Sequence, residues 1–194
     1  MVLAVRTGQR MSLEEFLALP ETNQKVELLD GEVIVMSEPT MVHMDVVLWI
    51  GTEFSLWTRR HGGRAYVDNF SLLLPVDQVA QPDVVLIRAE HLVHRYPRPQ
   101  RFPPDLVVEV SSPTTGHRDL GLKRDGYAAM GIGEYWFVDL PAGEVRVHRP
   151  TGGGYRLEAV RVAGDTLTTA VAPGLALEVA QLLSGGEATG ATSR

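Results

Sequence analysis

Three side chains are placed where ionisable groups are uncommon. Asp83 opens the valine-rich run QPDVVLI, Glu109 interrupts PPDLVVEV, and Lys123 sits in DLGLKRDGY, one of only two lysines (with Lys25) against sixteen arginines. Along a strand, alternate residues share a face, so Asp105, Val107, Glu109 and Ser111 point one way and Leu106, Val108 and Val110 the other. An ionised carboxylate inside such a strand must be paired or must bind a cation, because burying it alone is too costly. Asp105 is too far along the strand to share an ion with Glu109, at roughly 13 Å between Cα atoms, whereas two oxygen donors of one Mg²⁺ or Ca²⁺ ion lie within about 5 Å of each other. A second carboxylate must therefore come from another element. Asp83 fills that role if its strand neighbours that of Glu109, and the pair would form a hard-cation site with room for waters. The plainer reading keeps Asp83 and Asp105 as turn residues after proline and pairs Glu109 with an arginine. Asp119, Lys123 and Tyr127 are four apart and share a helix face. From there the Lys123 ammonium can polarise an attacking water or stabilise charge developing on a phosphate. An ordinary surface pair between Asp119 and Lys123 uses the same residues.

The elements that must position these groups are legible as periodicity and punctuation. Ser12 with Glu15 forms a capping box for a short helix ended before Pro20. KVELLDGEVIVM is a hairpin about Asp30-Gly31. Val42, Val46, Ile50, Phe54 and Trp57 lie at helical spacing in a long helix from Pro39 to Arg60, stopped by Gly62-Gly63. RAYVDNFSLLLP supplies two strands, and QPDVVLI and PPDLVVEV read as central strands covered on both faces. RAEHLVHRYPRPQRF between them reads as a long surface loop, a kind often functional. HRDLGLKRDGYAAM is a helix ending at Gly131 or Gly133, EYWFVDL and EVRVHRP are strands, and the remainder predicts edge strands and a short helix. The order implies α/β or α+β organisation, with a sheet centred on residues 84–87, 106–111 and 134–139. Residues 1–11 read as a flexible lead-in, 12–183 as one domain and 184–194 as a disordered tail.

Composition narrows the function classes. At 194 residues the chain supports one well-packed core. A hydrophobic fraction of 44% with 22% charged residues is that of a globular protein. No apolar run reaches the roughly 20 residues of a membrane span, no secretory signal is visible, and cysteine is absent, which together point to the cytoplasm. The net charge of −6 argues against a passive nucleic-acid coat. An enzyme could still meet DNA through a local basic strip, for which RRHGGR (59–64) and HRYPRPQRF (94–102) are candidates, although solvated arginine-rich loops are the ordinary reading.

The succession DGEVIVMSEPTMVH, QPDVVLI, PPDLVVEVSSPTT, then D-x-x-x-K-x-x-x-Y and GIGEYWFVD, resembles the bacterial Uma family, labelled as restriction endonucleases within the PD-(D/E)XK nuclease superfamily. The likeness spans about residues 12–180. It implies a restriction-endonuclease-like core, a central mixed β-sheet flanked by helices, preceded by the N-terminal helix and hairpin. It further implies Asp83 and Glu109 as ligands of Mg²⁺, with Mn²⁺ as an alternative, and a lysine that assists phosphodiester hydrolysis. Position 111, where the superfamily pattern carries that lysine, is serine here, and the family's migrated form assigns the role to Lys123. Glu27 and His43 match recurring positions. Glu27 would add a ligand or orient a water, or be a solvated strand charge. His43 would serve as acid, base or phosphate contact, or be structural. Tyr127 would support Lys123 or be core, His117 and Arg118 would contact phosphate or simply cap the helix, and Trp136 and Phe137 are assigned to packing. The expected activity is Mg²⁺-dependent cleavage of DNA by a homodimer, since cutting two strands asks for two sites. A catalytically silent nucleic-acid or protein-binding module, or a hydrolase of another phosphate, is the competing expectation.

Overall fold

The Asp30-Gly31 turn sets the N-terminal third of the chain. Both residues adopt positive φ, 51° and 70°, the conformation a two-residue hairpin turn demands and Asp-Gly supplies at little strain. They join β1 (Val26–Leu29) to β2 (Glu32–Val35) in an antiparallel pair. In this computed structural model the described residues are 5–22, 24–93, 98–111 and 119–186. The helix before the hairpin, α1 (Leu13–Leu17), carries the expected capping box: Ser12 Oγ accepts from the Glu15 amide, and the Glu15 carboxylate accepts from Ser12 N at 2.7 Å. Residues 8–11, expected to be loose, instead run along the free edge of β2. Gly8 N donates to Val33 O and Met11 N to Gly31 O, so the edge's unpaired backbone groups are satisfied.

The long helix α2 (Met41–His61) starts at Thr40, whose hydroxyl accepts from His43 N, and stops at Gly62 with φ 79°. Its inward stripe is Val46, Val47, Ile50, Phe54 and Trp57. Val42, expected in that stripe, is instead 55% exposed. Next come β3 (Arg64–Val67), β4 (Leu72–Leu74), β5 (Gln78–Ala80), β6 (Val84–Ile87) and β7 (Leu106–Val110). A π turn over Asp119–Lys123 then leads into α3 (Arg124–Met130). The strands β8 (Glu134–Asp139), β9 (Glu144–Thr151) and β10 (Gly154–Val162) follow, then a ribbon of β11 (Thr166–Thr168) and β12 (Ala176–Glu178), and α4 (Val179–Leu183).

Six strands form the main sheet in the order β10-β9-β8-β7-β6-β3, mixed because β7 and β8 are parallel and the other pairs antiparallel. The parallel pair requires a crossover, which the π turn and α3 provide. Helix α2, α4 and the ribbon cover one face, where Val84, Leu86, Val108, Val110 and Trp136 are buried. On the other face a four-stranded sheet of order β2-β1-β5-β4, together with α3, packs on Val85, Ile87, Val107, Tyr135 and Phe137. Helices thus flank the central sheet as expected, with a second sheet sharing one layer. Trp136 and Phe137 pack on opposite faces. The segment between β6 and β7 is less loop-like than its composition suggests. Gln100 is buried and exchanges backbone hydrogen bonds with Ser71 and Leu73, and Asp105 accepts from Arg88 N and from His91 Nδ1.

Candidate active site

Strands β6 and β7 pair with Val84 opposite Val108, Val85 opposite Val107 and Leu86 opposite Leu106. Asp83 immediately precedes β6, and its backbone N donates to Val108 O at 3.1 Å, which sets it beside the Glu109 end of β7. By alternation Glu109 lies on the face that Val107 presents to the smaller sheet. Both acids are almost wholly buried, at 3% and 2% exposed. Asp83 is also held by the strand beside it, its Oδ2 accepting from Val110 N at 2.8 Å.

The crossover brings in the lysine. The Lys123 ammonium is buried between two carboxylates, 2.7 Å from Glu109 Oε1 and 2.9 Å from Glu27 Oε1. Tyr127, one turn later, donates its hydroxyl to Glu109 Oε1 at 2.5 Å. Burial and then the Glu109 charge push the Tyr127 phenol well above its ordinary pKa, so it stays a proton donor. Gly126 lets this helix approach: a Cβ there would lie 2.6 Å from Leu74 Cδ1 on β4. Glu27, on β1, also accepts from the Gln81 amide at 2.7 Å, which ties the hairpin to the residues just before Asp83.

The second lysine of the chain lies in the same cluster. Lys25 Nζ is 2.5 Å from Asp83 Oδ1 and 3.9 Å from Asp68 Oδ1, and His43 Nε2, from the first turn of α2, is 3.4 Å from Asp83 Oδ2. Burial alone would raise the Asp83 pKa; Lys25, then His43 and Lys123, outweigh it and hold the carboxyl well below the usual carboxylate range. Burial opposes the charge on Lys25, but Asp83, Glu109 and Glu27 together raise its pKa, with Lys123 acting against them. Burial raises the Asp68 carboxyl, with Lys25 opposing. Glu27, Asp83, Glu109, Lys25 and Lys123 therefore form one electrostatic unit in which three carboxylates face two ammoniums.

All six residues singled out from the sequence, Asp83, Glu109, Lys123, Glu27, His43 and Tyr127, belong to this cluster. Glu27 is buried and ion-paired, which excludes the solvated strand charge. Tyr127 is both core and hydrogen-bond donor. Ser111 takes no lysine-like role, because its hydroxyl accepts from Leu140 N at 3.0 Å at the end of β8. His117, Arg118 and the Asp119 side chain lie outside the described residues, as does 94–97 of the second basic segment. Arg59, Arg60 and Arg64 sit toward the end of α2 away from His43, roughly 25 Å along the helix axis. Lys25 and Asp68 were not assigned to the site from sequence. Only the scarcity of lysine marked Lys25, and nothing local marked Asp68.

The donors are chemically suited to a hard cation, being anionic oxygens only. Among the described residues no three His, Asp or Glu side chains close round one point as a metal cage. The oxygens are engaged by the chain's own cations, Asp83 by Lys25 and Glu109 by Lys123.

The central mixed sheet flanked by helices has the restriction-endonuclease-like architecture. Residues 13–180 match the model of the Uma2 family, described as "Putative restriction endonuclease", and the chain belongs to that family. Among solved structures, the fold is shared with "a putative nuclease belonging to DUF820" from Anabaena variabilis ATCC 29413. That structure superposes with a TM-score of 0.74 at 20% identity, over 91% of this chain and 99% of the other. No curated protein matches.

Proposed function

We propose that this protein is a metal-dependent nuclease that hydrolyses phosphodiester bonds in DNA, with Asp83 and Glu109 as the metal-holding pair and Lys123 as the assisting cation. The observation that supports this reading is the gathering of the buried Asp83 and Glu109 carboxylates in one charge cluster with the Lys123 ammonium on Glu109. A divalent ion held there, Mg²⁺ or Mn²⁺, would supply Lewis-acid polarisation of the phosphate and a lowered pKa for a bound water. The chain's own groups do the rest. Lys123 presents a fixed positive charge toward a phosphate whose oxygens gain charge as water attacks. Glu27 and Glu109 fix the position of that ammonium, and the Tyr127 hydroxyl orients Glu109. His43 lies beside Asp83 at the start of α2, with Nδ1 buried and unpartnered, and is the candidate contact to a phosphate oxygen.

The test is cleavage of plasmid and single-stranded DNA in Mg²⁺ and in Mn²⁺. Wild type is compared with Asp83→Asn, Glu109→Gln and Lys123→Arg, each checked for folding by circular dichroism. Cleavage that needs metal and falls by about 10² or more in each folded variant is expected. Metal-independent DNA binding with no cleavage, unchanged in all three variants, would instead select a silent binding module.

A further inference from the structure

We infer that the outward face of α2 is a homodimer interface in which two copies pair their α2 helices antiparallel about a two-fold axis through Thr52. The inference stands on surface chemistry and does not depend on the catalytic reading. The solvent-facing stripe of α2 is Asp45, Leu48, Thr52, Leu56 and Arg59, all exposed. These positions are spaced 3, 4, 4 and 3 apart and so form one nearly straight row. The row is symmetric about Thr52 in position and in hydrophobicity, and antisymmetric in charge. A two-fold axis there places Leu48 against the other copy's Leu56, twice, and Asp45 against the other copy's Arg59, twice. That is the self-complementarity an isologous interface requires.

Three further observations favour a second copy as occupant. Leu48 is 65% exposed and Leu56 39%, and Val67 on the neighbouring edge strand β3 is 44% exposed; such a row of exposed apolar side chains on one face marks an interaction surface. Among the described residues neither Asp45 nor Arg59 has an ion-pair partner within its own chain. A groove of about 300 Å³ runs between α2 and β3, lined by Leu48, Leu56, Ala65 and Val67, and would receive the leucines of the facing helix. A nucleic acid would meet Asp45 and two leucines on this face, which it does not fit. The paired length, about 21 Å for the fourteen steps from Asp45 to Arg59, is short for a standard interface, so a reversible dimer of micromolar strength is expected.

Sedimentation velocity over a wide concentration range, with chemical cross-linking, tests this on the full chain. Wild type is expected to pass from monomer to dimer. Asp45→Arg alone and Arg59→Asp alone place like charges at both ends of the contact and should each weaken association by roughly tenfold. The combined charge swap should restore it. Because the chain has no cysteine, Thr52→Cys gives a single thiol on the axis. Helices 8–10 Å apart bring its Cα near that of its copy, within disulfide range. Mild oxidation should then yield a covalent dimer that Ala163→Cys does not form. A wild type that stays monomeric at every concentration overturns the inference. So does a dimer in which Thr52→Cys fails to cross-link, or one that the charge swap fails to restore.

Discussion

Replacing Lys123 by methionine tests whether its ammonium holds the cluster together. Lys123 is 1% exposed and bonded to both Glu109 and Glu27, so neither solvent nor salt screens the loss. Methionine fills nearly the same volume, which limits any cavity contribution. What remains is two carboxylates facing each other in a buried site without their shared cation. Removing one partner of a buried pair typically costs about 3–5 kcal/mol. Against a total stability of roughly 5–15 kcal/mol this is a large fraction, and for a chain of this size it lowers the melting temperature by roughly 6–20 °C. The penalty has a chemical signature. Glu27→Gln removes one of the two opposed charges, so Lys123→Met combined with Glu27→Gln should recover part of the loss, a coupling of about 1–3 kcal/mol. Urea titrations of the four members of the cycle, with and without Mg²⁺, measure all of this. A loss below about 1 kcal/mol for Lys123→Met, or no coupling to Glu27, would refute the buried shared cation.

Other perturbations read separate parts of the structure. Lys25→Met removes the cation on Asp83, and isothermal calorimetry should show Mn²⁺ binding about tenfold tighter or more, since a positive charge leaves the ligand it competes for; unchanged affinity would show that Lys25 and metal do not compete. Gly126→Ala places a Cβ against Leu74, and a loss of roughly 1–3 kcal/mol is expected in denaturant titration, because α3 must retreat from β4. His148 stacks on Tyr135 at 5.4 Å, and burial, then the nearby Arg124 charge, lowers its pKa below 6.5. The unfolded chain therefore takes up the proton first, and this residue's contribution to stability is intact above about pH 6.5 and falls as pH drops below it. His148→Phe should flatten that part of the stability–pH curve relative to wild type, and parallel curves would refute the assignment.

Much of the fold was legible because its signals are local. Asp30-Gly31 carries its own turn geometry, Ser12 and Glu15 cap their own helix, and the apolar period of α2 identifies its buried face without reference to anything else. Where reading from sequence fell short, the cause was non-local. Residues 8–11 carry no strand pattern and are ordered by the β2 edge they satisfy. Gln100 belongs to a polar, proline-rich segment yet is buried through its backbone bonds to Ser71 and Leu73. Val42 keeps the helical spacing but is left exposed.

The same division runs through the candidate site. The sequence by itself determined that Glu109 had to be compensated, because a carboxylate in a valine strand cannot be buried alone, and that Asp105 could not share an ion with it. It also marked both lysines by their scarcity. Only the tertiary structure decided which group compensates which: Lys123 serves Glu27 and Glu109, and Lys25 serves Asp83. Those partners are brought together by the β6–β7 register, the crossover through α3 and the docking of the hairpin. Electrostatic pairing depends on distance in space, and these residues, far apart in the chain, become neighbours only when the two sheets pack.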